Sequence, residues 1–261
     1  MINETGLKAA AFAASFLVAS SANAAIVVLF DDFDDGFANF ANTVTSAGGT
    51  HTNFVLTPGG TPGNADFTIS RPNGAIVSVE SAYRLFGSSP TRFTTSGVID
   101  IGPAGPNTTP RANPLDYRNS GITFNFTNPI NSLGFEVGDW STCCQPSNLW
   151  IQFGNNAPIL LGASTSGNDQ FLTNGGAGVF VAAFDDSDTF TTVSFWGDGV
   201  GEVLNAGGTI RYAALQRGSL PPTGAVPEPA TWAMMLLGFF GVGAAMRRSK
   251  ARIARQSVSF A

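Results

Sequence analysis

Apolar and polar residues alternate at period two in three stretches: Ile122-Thr123-Phe124-Asn125-Phe126, Leu133-Gly134-Phe135-Glu136-Val137 and Leu149-Trp150-Ile151-Gln152-Phe153. Successive side chains of a strand point to opposite faces, so each stretch predicts a strand with one dry side. Further strands are predicted around Ile26 to Phe30, Thr52 to Leu56, Ala75 to Glu80, Val179 to Phe184, Thr191 to Phe195 and Thr209 to Tyr212. Gly, Pro, Asn and Ser clusters separate them, and no 3.6-residue apolar period is sustained enough to predict a helix between residues 25 and 218. The pattern predicts an all-β domain, an antiparallel β-sandwich of jelly-roll-like form. A β-solenoid is the alternative raised by the Gly and Asn content, but only Phe-Asp-Asp recurs, at Phe30 and Phe184, with no fixed period.

The two ends break this pattern. Residues 230–246 form an apolar run of 17 without a charge, the lower limit for a helix that spans a bilayer. Arg247, Arg248, Lys250, Arg252 and Arg255 follow it without an acid, which predicts a C-terminus held in the cytoplasm. At the other end Lys8 precedes the apolar stretch Ala9 to Val18, and Ala22-Asn23-Ala24 supplies the small-x-small site of a signal peptidase. Cleavage after Ala24 is predicted. The chain then divides into a signal peptide (1–24), an ectodomain (25–218), a Pro/Gly spacer (219–226), a tail with its transmembrane helix (227–250) and a basic cytoplasmic end (251–261).

Charge narrows the partners. Residues 25–218 contain no Lys and seven Arg against sixteen Asp and Glu. Phosphate backbones need clustered cations, so nucleic acid is excluded as a partner. Cations suit the acids better. Asp31, Asp32, Asp34 and Asp35 concentrate the hard oxygen ligands that Ca²⁺ takes, and Asp185, Asp186 and Asp188 form a second cluster. Neither has EF-hand spacing, and the competing reading is an acidic turn serving its own backbone. Apart from that calcium candidate, no cofactor is implied.

Catalytic signals are sparse. His51, the only histidine, lies in a Gly/Thr loop, and no nucleophile elbow, paired-histidine zinc motif or phosphate-binding Gly loop is present. Cys143 and Cys144 are adjacent, leaving three alternatives after export to an oxidising compartment: a vicinal disulfide, an intermolecular bridge or a reduced pair. Trp140 and Trp150, which flank that loop, and Trp196 are the candidate glycan-binding residues. By strand parity Trp150 and Trp196 point away from the core, where exposed aromatic rings would stack on sugars, unless further structure covers them.

The tail carries the most specific motif of the chain. Pro227-Glu228-Pro229, followed by Trp232-Ala233, the apolar helix and the stop at Arg247-Arg248, resembles the PEP-CTERM sorting tails of exported bacterial proteins. Such tails are also catalogued as the C-terminal domain of ice-binding proteins, a label for the tail; the Thr pairs here, as at Thr94-Thr95, do not recur at the constant step an ice face requires. The resemblance implies export through the inner membrane of a Gram-negative bacterium, transient anchoring there, processing by an exosortase-type membrane protease, and release to the cell surface or extracellular matrix. Signal peptidase and the membrane are the other implied partners. Residues Ile122 to Tyr212 also resemble the β-sandwich half of many such proteins, except that Ala206-Gly207-Gly208-Thr209 stands where that family usually has an Asp pair. Two functions follow as expectations: a non-catalytic surface or matrix protein that binds exopolysaccharide, or an extracellular carbohydrate-active enzyme using two of its carboxylates.

Overall fold

The computed structural model describes residues 24–81, 93–101, 113–115, 117–138, 140, 146–165, 178–198, 204–221 and 239. In chain order these form β1 (Ile26–Asp31), α1 (Phe33–Ser46), β2 (Thr52–Val55), β3 (Phe67–Ser70), β4 (Glu80–Ser81), β5 (Gly97–Asp100), β6 (Ile122–Ile130), β7 (Ser132–Gly138), β8 (Ser147–Phe153), β9 (Ile159–Ser164), β10 (Val179–Asp185), β11 (Phe190–Gly197) and β12 (Asn205–Ala213). Among the described residues no helix is long and apolar enough to cross a membrane. The expected span at 230–246 lies outside them, apart from Phe239, as do the expected signal peptide through residue 23 and both cysteines.

Two antiparallel sheets face each other. One runs β1-β10-β7-β12-β5-β4, with β2 also on β12; the other runs β3-β6-β11-β8-β9. From β5 onward successive strands switch sheets except for the hairpin β8-β9, giving β5-β12-β7-β10 opposite β6-β11-β8-β9, the double Greek key of a jelly roll. The first and last of these eight strands, β5 and β12, are neighbours in the larger sheet.

The core is built by the predicted alternation. Phe124, Phe126, Phe135, Leu149, Ile151, Phe153, Val193 and Phe195 all turn between the sheets and are buried. Phe135 on β7 meets Phe195 on β11 edge-on, with ring centroids 4.8 Å apart, and lies 5.4 Å from Phe124 on β6. Edge-to-face contact suits the ring quadrupoles and fixes how the sheets interlock.

One expectation fails: α1 is a helix where none was predicted. Its apolar positions are Phe33, Phe37, Phe40 and Val44, a narrow stripe with Asn, Thr and Ala between, which is why a search for a broad apolar face misses it. The stripe covers the outer face of the larger sheet over Phe180, Ala182 and Phe184, making a second core. Close approach is possible because Gly36 faces Phe180: a Cβ at Gly36 would lie 2.5 Å from its ring. Two further differences are smaller. The strand expected from Ala75 to Glu80 shrinks to a bridge at Ile76 and the two-residue β4, and the short strands β3, β5 and β9 carry too few alternations to read.

Candidate functional site

The outer face of the five-stranded sheet collects what the alternation turns away from the core. Ser70 on β3, Thr123 on β6, Ser194 on β11 and Gln152 on β8 stand in register as a row across four strands. Beside it run Thr68, Asn125 and Thr192 on one side and Trp196, Trp150 and Leu160 on the other. Cross-strand neighbours sit about 4.5–5.5 Å apart, so the polar groups bond laterally. Asn125 Nδ2 donates to Ser70 Oγ at 3.0 Å, and the hydroxyls of Thr123 and Ser194 are 3.1 Å apart.

Part of this face is roofed. The stretch leading through the 3-10 turn at Arg118–Ser120 lies over β11, with Arg71 donating to the Ser120 carbonyl at 3.3 Å and Arg118 Nη2 reaching Ser194 Oγ at 3.5 Å. Pro114 accepts a 2.6 Å hydrogen bond from Trp196 Nε1. Trp196 therefore points outward as parity requires, yet is 0% exposed and cannot stack on a sugar. Trp140 is buried too: its ring meets Phe30 edge-on at 5.5 Å and its Nε1 donates to Ser147 Oγ at 2.8 Å. These two positions correct the expectation of three exposed platforms. Trp150 alone remains half-buried at the edge of the roof, beside Leu160, which is 43% exposed.

Two buried polar atoms on this face lack partners, Gln152 Oε1 and Arg118 Nε. Gln152 spends its amide on the Asn156 carbonyl at 2.5 Å, leaving an acceptor against Ser194. Buried polar atoms are nearly always satisfied by protein or water, so an orphan acceptor and an orphan donor mark a place for a hydroxylated ligand or ordered water.

The acidic cluster at Asp31 is the start of α1. Asp32 caps the helix, its Oδ1 accepting from Asp35 N at 2.9 Å, while Asp34 and Asp35 occupy the first turn, where a helix N-terminus favours negative charge. Asp31, Asp32 and Asp35 bring three ligand oxygens within 4.8 Å of one another; Asp34 is not in that group. Asn39 Nδ2 already donates to Asp31 Oδ2 at 2.9 Å. Three carboxylates at one point fit a hard cation in charge, but Ca²⁺ takes six to eight oxygens, so water would complete the shell. The second cluster is structural: Asp185 accepts from Ser187 N and from Asn156 Nδ2, and Asp186 is fully buried.

The remaining chemistry is internal. Glu136 on β7 faces outward from the larger sheet but is 0% exposed beneath the segment at Phe93 and Thr94. It accepts from Thr94 N at 2.6 Å, Thr94 Oγ1 at 2.5 Å and Thr209 N at 3.2 Å. Burial pushes its carboxyl above the usual range, against those donors and Arg211. Gly208, at the Ala206–Thr209 departure, leaves room for it: a Cβ there (φ 69°) would overlap the carboxyl group, while Gly207 makes room for Phe93 and Val98. His51 sits edge-on to Phe40 at 5.9 Å, half-buried, its pKa lowered by that burial and then by Arg211. Two open pockets each hold a single acid, Asp66 in one and Asp185 in the other, so neither presents the carboxylate pair of a glycosidase.

The model of the PEP-CTERM protein-sorting motif matches residues 225–249. The chain thus carries the sorting signal that its tail resembles, and with it the mark for exosortase processing on a membrane-transit export route. Pro227, Glu228, Pro229, Trp232, Arg247 and Arg248 all fall within that match and outside the described residues, as does Ala22 lie outside them; Ala24 is described and exposed. No curated protein matches the chain. Among solved structures it is similar to a point mutant of a family 29 carbohydrate binding module, at 9% identity and TM-score 0.32 over 68% of this chain and 99% of that one. Another family 29 carbohydrate binding module matches at 10% identity and TM-score 0.31, over 69% and 99% of the two chains. Superposition at that level is loose, and the architecture rests on the strand pairing itself.

Proposed function

We propose that this is a non-catalytic, exosortase-sorted protein of the cell surface or matrix, and that the outer face of its five-stranded sheet binds polysaccharide. The observation that carries the reading is the half-buried ring of Trp150 at one side of this face and the accessible polar row Thr68, Asn125 and Thr192 at the other, with Thr123 half-buried between them and Ser70, Ser194 and Gln152 buried. A sugar chain presents apolar ring faces and hydroxyl edges. An aromatic beside a rigid hydroxyl and amide row complements both, on strands rather than loops, at little ordering cost. The acidic surface suits a neutral or cation-bridged glycan and opposes a polyanion. A glycan-array screen of the exported protein tests this: Trp150→Ala should lower affinity for any bound glycan about tenfold or more, while Trp140→Phe should not. Binding unchanged by Trp150→Ala would remove this face from the function.

Calcium has a separate observation in its favour, the convergence of Asp31, Asp32 and Asp35. We propose a weak site there. Millimolar Ca²⁺ should raise the melting temperature reversibly by a few degrees, with EDTA restoring it, and Asp35→Asn should abolish the shift; no shift in the parent protein would leave the cluster as a helix cap alone.

A further inference from the structure

We propose that Asp186 is a built site for an α-ammonium group, and that its ligand is the chain's own N-terminus at Ala25. The proposal rests on the predicted cleavage after Ala24, and goes beyond it. Ala25 N lies 2.6 Å from Asp186 Oδ1, across 161 residues of sequence. Asp186 is 0% exposed and Ala25 6%, whereas Ala24 is exposed, so the bond to be cut sits at the surface and its nitrogen points inward. The other carboxylate oxygen accepts from Leu220 N at 2.7 Å, and the Asp186 backbone closes the ring by donating to the Ala25 carbonyl at 3.3 Å and accepting from Gly218 N at 3.2 Å.

Those partners are neutral. In the uncut chain Asp186 has two amide N–H donors and, among the described residues, no cationic partner for a fully buried charge. A buried carboxylate with only neutral donors is costly, and an opposite charge at hydrogen-bond distance reduces that cost. Hydrolysis of the Ala24–Ala25 bond supplies one in place. Water adds hydroxyl to the Ala24 carbonyl carbon and a proton to the Ala25 nitrogen; at neutral pH the new carboxyl gives up its proton and the amine takes one. The nitrogen then carries a positive charge at the position from which the amide had donated. The same carboxylate holds Leu220, the second residue of the spacer to the sorting tail, so removal of the signal peptide tightens the point at which the tail leaves the domain.

The charged groups nearest along the adjoining elements are Asp185, whose oxygens are held by Ser187 N and Asn156 Nδ2, then Asp188 and Arg217. Ion pairing raises the amine's pKa above its unfolded value of about 8. A raised pKa of this kind gives stability that is full below the unfolded value and lost as pH rises through the folded one.

The test uses the full gene exported by a processing host, with the N-terminus of each product sequenced. One variant inserts Ser-Ser between Ala24 and Ala25, so that the same cut leaves two residues ahead of Ala25; a second is Asp186→Asn. At pH 7 the insertion should raise the unfolding equilibrium constant about tenfold or more, the difference should fade above the folded pKa of the amine, and in the Asp186→Asn background the insertion should add nothing. The wild-type amine should also react with an amine reagent more slowly than that of the insertion variant. Equal unfolding and equal labelling of the two, with wild type confirmed to start at Ala25, would overturn the ion pair; a start elsewhere would overturn the cleavage reading instead. If Asp186→Asn does not fold, the labelling comparison still decides.

Discussion

Replacing Pro227, Glu228 and Pro229 together with Ala is expected to leave export and membrane insertion intact while abolishing loss of the C-terminal segment, so that full-length protein accumulates in the inner membrane. The sorting motif spans residues 225–249, and this triplet is its polar entrance. Two prolines fix φ near −65° and remove two backbone donors, so the sequence predicts an extended segment around Glu228. A membrane protease can read that shape together with one negative charge. The apolar run that follows needs neither proline nor glutamate to insert, because its insertion depends on hydropathy and on Arg247 and Arg248. A blot with one tag in the ectodomain and another after Lys250 measures the outcome. Wild type should separate the tags and the triple variant should keep them on one chain; equal retention in both would make the tail a plain anchor. Changing Arg247 and Arg248 should weaken retention before processing and leave recognition of the triplet unaffected.

The second large effect concerns Glu136. Its substitution by Ala should destabilise the domain by about 3–5 kcal/mol, since Thr94 N, Thr94 Oγ1 and Thr209 N would lose a common acceptor in a buried place. Glu136→Gln keeps the shape: with its amide nitrogen at the Oε1 position it still accepts from Thr94 N and donates to Thr94 Oγ1, and only Thr209 N loses its acceptor. Its effect depends on pH. Burial raises the folded pKa of Glu136 above the unfolded one, so its contribution is full below the unfolded value and declines as pH rises through the folded value. The Gln variant does not titrate. Relative to wild type it should therefore gain stability as pH rises above the unfolded value of about 4, measured by urea unfolding at fixed salt. A difference that stays flat above that value would mean that burial does not raise the folded pKa.

Both predictions attach to features that differ in how they can be read. The sorting tail is legible residue by residue because it must be recognised by hydropathy, charge and backbone stiffness alone, properties of a linear segment. The strands β6, β7 and β8 are legible for a related reason: each buries one face, so period two is imposed along the chain itself. Parity even assigned Trp150 and Trp196 to the correct side of the sheet.

What lies over that side was not legible. Trp196 is buried by Pro114, eighty-two positions away, and nothing local to either residue encodes the contact. α1 escaped for a different reason, since a stripe of four apolar residues suffices once Gly36 lets the helix descend onto Phe180. Asp186 is the sharpest case. In sequence it is one acid of a solvated-looking cluster; in the fold it is buried between the first residue of the predicted mature chain and the last turn before the tail. The sequence by itself determined the sorting tail, the all-β class and the inward face of the long strands, because those follow from composition and periodicity over neighbouring residues. Which outward groups are covered, which acids are buried and where the two ends of the domain meet were decided by the tertiary structure, because these depend on desolvation and contact between segments brought together only by the closing of the jelly roll.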